Sequence, residues 1–77
     1  MTITVSSTSK IVTLIAGNSE IQCRIWEGRT ERGIPVHCYI PRLVAREDSD
    51  CSQFEEELQE TRKPSAEIEA IPLRMIL

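Results

Sequence analysis

Trp26 and Tyr39 are two of only three aromatic residues in the chain, and each lies two positions from a polar nitrogen group: Arg24 before Trp26, His37 before Tyr39. Aromatic faces that stack bases, set among guanidinium groups that meet phosphates, are the working parts of a single-strand nucleic-acid binder. Each stacked base contributes ~1–3 kcal/mol on such a surface. Arg29, Arg32, Arg42 and Arg46 flank the group and are the candidate phosphate contacts. Trp, Tyr and Arg are equally the residue types enriched among the hot spots of protein interfaces. One constellation therefore supports two readings, and the surrounding sequence has to choose between them.

Other chemistries find little support. Cys38 follows His37, but neighbouring side chains on a strand project to opposite faces, so a thiol–imidazole pair cannot form there. The three cysteines show neither C-x-x-C nor H-x-x-x-H spacing, which argues against a zinc site and for packing thiols. Glu55, Glu56, Glu57 and Glu60 read as the solvated face of a helix, not as a metal site or a desolvated acid–base pair. There is no phosphate loop, dinucleotide fingerprint or Ser-His-Asp pattern. The sequence points away from an enzyme and calls for no cofactor and no metal.

The residues that matter sit on a hairpin, Ile21 to Pro41. Ile21, Cys23 and Ile25 alternate with Gln22 and Arg24, and Ile34, Val36, Cys38 and Ile40 alternate with Pro35, His37 and Tyr39. Such alternation marks half-buried strands. With Arg29–Arg32 as a four-residue loop between Gly28 and Gly33, Ile25 opposes Val36, Cys23 opposes Cys38 and Ile21 opposes Ile40. These six form the expected core face, and Arg24, Trp26, His37 and Tyr39 share the other. The Cys23–Cys38 pair falls at a hydrogen-bonded site with Cα atoms ~5.5 Å apart, which permits a disulfide but suits two reduced thiols better. Pro35 and Pro41 lack N–H groups on the same side of their strand, which makes that strand a sheet edge.

The remaining elements are read outward from the hairpin. Residues 1–9 form a partly ordered N-terminal segment, and 10–77 one α+β domain. Ile11 to Ala16 is a strand rich in β-branched residues, joined to the hairpin by a two-residue Gly17-Asn18 turn that sets Leu14 against Ile21 and Val12 against Cys23. Ile11 and Ile15 then join Trp26 and Tyr39. After Pro41, Arg42 to Arg46 can continue the edge strand past a kink. A helix follows, capped by Ser49 or Asp50, with Cys51, Phe54 and Leu58 as a stripe facing the sheet and Arg62-Lys63 closing its last turn before Pro64. Ile71, Leu73, Met75 and Leu77 alternate as a last strand. Ile68 is out of phase with them, so Ser65–Ala70 is a bulge, a short turn or a helical turn. The assembled fold class is a small antiparallel β-meander with one crossing helix and a C-terminal strand, β-β-β-α-β. Its strand order is 3-2-1-4, with the outer pair parallel.

The chain has 77 residues and a net charge of −3, unevenly spread. Residues 21–46 carry +3 and residues 47–77 carry −6. Overall acidity disfavours phosphate binding. A domain of this size is marginal alone, and one short helix cannot cover both faces of a four-stranded sheet. An apolar remainder on Ile11, Ile15, Trp26 and Tyr39 is therefore expected to meet a protein partner: most simply a second copy in a homodimer, or another protein. Weak single-stranded nucleic-acid binding by the same face is the alternative. The only apolar run near the start, Ile11 to Ala16, is too short for a signal peptide or membrane span, and the odd cysteine count suits a reducing compartment. These features predict a cytoplasmic protein, of bacterial or phage-like scale, with no membrane partner.

Overall fold

Four strands hydrogen-bond in the order β3-β2-β1-β4, as the sequence predicts, in a computed structural model that describes residues 1–77. They are β1 (Ile3–Ala16), β2 (Ser19–Thr30), β3 (Pro35–Ile40) and β4 (Arg74–Ile76), with helices α1 (Cys51–Gln59) and α2 (Ala66–Glu69) between β3 and β4. β1 begins well before Ile11 and takes in the Ser/Thr tract, so residues 3–9 belong to the sheet and pair with the far end of β2. β4 lies parallel to β1, with Leu14 opposite Met75.

The β1–β2 turn follows the expected register, with Leu14 opposite Ile21 and Val12 opposite Cys23. Gly17 has a φ of 60° and Asn18 does not share it, the pattern of a II′ turn whose twist matches the flanking strands. The β2–β3 turn differs from expectation. Gly28 lies inside β2, close against β1, where a Cβ would collide with the Thr4 carbonyl. The turn is Glu31–Gly33: the Gly33 amide donates to the Thr30 carbonyl (2.9 Å), Gly33 takes a φ of 83°, and the Thr30 amide donates to the Ile34 carbonyl (3.0 Å). A three-residue loop of this kind pairs Ile25 with Tyr39 and Trp26 with Cys38, instead of Ile25 with Val36 and Cys23 with Cys38. Because side chains alternate with period two, that change of register moves His37 and Tyr39 to the face of Cys23 and Ile25. All three cysteines are free, and Cys23 and Cys38 point to opposite faces.

The core is small. Val12, Cys23 and Ile25 are buried under Ile68 of α2, with Leu14, Tyr39 and Ile71 packed around them. The cover thus comes from the Ser65–Ala70 turn, where Ser65 caps a four-residue helix by accepting from the Ile68 amide. α1, expected to lie across the core, has no buried residue. Asp50 caps it by accepting from the Gln53 amide at 3.1 Å, but it ends at Gln59, short of Arg62-Lys63. The chain after Ile40 leaves the sheet, so Arg42–Arg46 does not continue β3.

The segment following α1 is stitched to the outer edge of β1. The Ser9 amide donates to the Arg62 carbonyl and the Arg62 amide to the Ser7 carbonyl; farther along, the Thr13 amide donates to the Leu73 carbonyl. Between these anchors the chain leaves the edge and lays α2 over the core. β1 carries a bulge between Ser7 and Ile11, where its pairing with β2 shifts. There the buried Thr8 hydroxyl donates to the Ile25 carbonyl at 2.6 Å, satisfying backbone that a regular ladder would have paired. With a core this small, Ile68→Ala removes the one α2 side chain buried over it. It is expected to cost about 2–4 kcal/mol in chemical denaturation, a large share of the stability of so short a chain.

Candidate interaction surface

The face opposite the core is built by alternation. Ile11 and Ile15 of β1, Arg24 and Trp26 of β2, and Val36, Cys38 and Ile40 of β3 all project to it. Past Pro41 the chain turns back over this face, and with α1 it walls a groove of about 270 Å³ lined by Ile11, Trp26, Ile40, Leu43 and Leu58. Ile11, Leu43 and Leu58 are 48%, 45% and 40% exposed, so the groove is apolar and open to water. Arg24 and Arg42 supply its polar side.

The sequence-derived constellation is therefore divided. Ile11, Ile15, Arg24 and Trp26 share the open face. His37 and Tyr39 lie on the other, where Tyr39 packs against the core and its hydroxyl sits 3.3 Å from His37 Nε2. The two rings meet edge to face with centroids 5.4 Å apart. The arginines do not converge either. Arg24 Nη1 donates to the Thr8 carbonyl at 2.7 Å, holding the bulge, and Arg29 Nη1 donates to the Gly33 carbonyl at 2.9 Å, holding the turn. Arg46 pairs with Asp48 at 3.7 Å, while Arg32 and Arg42 are exposed. Trp26 and Tyr39 cannot form one stacking platform across the thickness of the sheet.

A second, polar groove of about 320 Å³ lies on the core side beside α2, with Glu27, His37, Arg62 and Ser65 among its lining. The Glu27 carboxylate accepts from the Ser65 amide at 3.0 Å. Hydrogen bonds from the Ser65 side chain and backbone, aided by the charges of Arg62 and His37, hold its pKa below the usual glutamate value against a small opposing effect of burial. A β2 side chain thus fixes the start of the helix that carries Ile68. Sequence reasoning missed this link, because a lone glutamate beside Gly28 reads as surface charge. No group of three or more His, Cys, Asp or Glu side chains gathers where a metal ion could be held. No helix is long and apolar enough to cross a membrane.

Searches against protein-family models, curated proteins and solved structures each find no match.

Glu27 carries a pH signature. Its pKa is lower folded than unfolded, so its contribution to stability is present above the unfolded glutamate value and is lost as pH falls through the folded one. Glu27→Gln is expected to unfold at lower denaturant than wild type near pH 7. The gap should close as the pH is taken down through the carboxylate range, read from midpoints at each pH.

Proposed function

We propose that this chain is a small non-enzymatic interaction domain that self-associates through its open sheet face. The observation that carries the reading is the solvent-open apolar groove of Ile11, Trp26, Ile40, Leu43 and Leu58. Contiguous apolar surface of this kind on a small domain marks a docking site, and a two-fold pairing uses one patch twice. Trp26 is the aromatic anchor of the groove and Arg24 and Arg42 its rim, the composition favoured at interface hot spots. The charge division supports self-recognition as well. The basic span 21–46 of one copy and the acidic span 47–77 of another attract, which speeds encounter and fixes register more than it adds affinity.

Single-stranded nucleic acid is the weaker reading, since it needs Trp26 and Tyr39 on one face among unengaged cations. The three free thiols suit a reducing compartment, and we read the chain as cytoplasmic.

Light scattering across protein concentration tests the proposal. Wild type is expected to show a mass above that of one chain, reduced in 1 M salt, because exposed charges are screened at a Debye length of ~3 Å. Ile11→Glu, at a half-exposed site that leaves the core untouched, is expected to lower that mass. A single-chain mass for wild type at every concentration, or an Ile11→Glu mass equal to wild type, would overturn it.

A further inference from the structure

β3 ends the sheet, and its outer edge has no partner. The Thr30–Ile34 bond fixes which residues face β2: the even-numbered ones, Val36, Cys38 and Ile40, turn their backbone groups inward. His37 and Tyr39 therefore turn theirs outward, and neither takes part in any of the backbone bonds made outside the regular elements. Pro35 and Pro41 also face outward but have no N–H to offer. The usable edge is thus a short window framed by two prolines, and Cys38 stands at its centre, equidistant from both.

We infer that this edge pairs with the same edge of a second copy, antiparallel, about a two-fold axis through Cys38. In that register His37 of each copy faces Tyr39 of the other, and each such pair exchanges both backbone hydrogen bonds. Pro35 of each copy comes opposite the end of the strand at Pro41 of the other, so the missing N–H groups fall together at the ends of the ladder and both amides of the window, those of His37 and Tyr39, find carbonyls. Side chains match as well as backbone. On the open face Val36 meets Ile40 and Cys38 meets Cys38; on the opposite face the His37–Tyr39 ring pairs of the two copies adjoin. Aromatic and apolar cross-strand pairs stabilise such a ladder.

Charge favours the same occupant. β3, PVHCYI, has no acidic or permanently charged side chain, so two copies meet without opposing like charges. Prolines commonly blunt an edge against foreign strands. Here they limit the outward-facing donors of the edge to His37 and Tyr39, and the symmetric register pairs both. Pairing would also run the open faces of the two copies together across Val36 and Ile40. The inference goes beyond the open-face reading and does not depend on it.

The test is a cross-link on the axis. Directly opposed residues at a non-hydrogen-bonded antiparallel site have Cα atoms ~4.5 Å apart, within disulfide range. Cys23 is buried and Cys51 exposed, so Cys51→Ser protein leaves Cys38 as the reporter. Diamide takes up the two electrons and two protons as the S–S bond forms. The expected product is a covalent dimer, absent from Cys51→Ser/Cys38→Ser protein and retained when Ile11→Glu is added. A residue on a two-fold axis meets only itself, which supplies a second measurement. Cys38→Asp and Cys38→Lys are each expected to weaken the pairing at least about tenfold, and their mixture to restore it. Oxidised Cys51→Ser protein that stays a single chain, or Asp and Lys variants that keep the wild-type mass, would overturn the inference. Loss of the open-face interface alone would leave the cross-link in place.

Discussion

The closure of the β2–β3 turn at Thr30 and Ile34 decides more of this molecule than any other contact. Thr30 donates its amide to the Ile34 carbonyl and receives the Ile34 amide on its hydroxyl at 3.1 Å, so side chain and backbone fix the same register. Gly33, at positive φ, lets the chain close in three residues. Strand side chains alternate with a period of two, so loop length sets which face of β3 meets which face of β2. With this loop, Tyr39 joins Ile25 over the core and Cys38 joins Trp26 on the open side. One more residue in the turn would exchange those assignments along all of β3.

The other half of the architecture is the second edge of β1. Residues 60–77 meet it twice, at Arg62 and along β4, and the excursion between those anchors delivers Ile68 to the core. Two polar ties position the excursion and a third holds the chain just before its first anchor. Glu27 accepts from the Ser65 amide, Lys10 Nζ donates to the Glu69 carbonyl at the far end of α2, and the Ser7 hydroxyl donates to the Glu60 carbonyl. A helix of four residues has almost no stability of its own, so tertiary contacts have to hold it. The Thr8 bulge belongs to the same arrangement. It bends the strand where Arg62 docks, and its polar atoms are satisfied from three sides, by Ile25, Lys10 and Arg24.

What could be read from the sequence follows from how locally each feature is determined. The strand order, the Gly17-Asn18 turn with its register, and β3 as an edge were all legible, because alternation, a turn dipeptide and proline chemistry act over a few residues. The β2–β3 register was not. Gly28 and Gly33 bracket a plausible loop, and nothing local says that Gly28 serves the close approach of β1 instead. α1 was legible as a helix, but its place over the core was misjudged for a related reason. Cys51, Phe54 and Leu58 make a clean helical stripe, yet three apolar positions on a strongly acidic helix secure little burial. Ile68 was visible as the residue out of phase with the last strand, and that irregularity marked the true cover of the core. Of the candidate surface, Ile11, Ile15, Arg24 and Trp26 were placed together correctly, since they depend only on the β1–β2 register.

The open face and the free edge have one origin. All the chain after Thr61 is committed to the far edge of β1 and to the core side, and α1 reaches the open side only with Leu58. Only Leu43 and Leu58 reach over Ile11, Trp26 and Ile40, which leaves Ile11 half exposed, and no strand pairs with the outer edge at His37 and Tyr39. A core of four buried apolar residues leaves the isolated fold with a small margin, since short chains bury a low fraction of their surface. The association proposed at either surface would engage the folded chain and not the unfolded one, so by mass action it would add to stability in proportion to the logarithm of concentration over dissociation constant. The surfaces left unfinished within one chain are therefore the ones through which a second copy can stabilise it. Folding and self-association would in that case be linked, the stability of the fold rising with protein concentration.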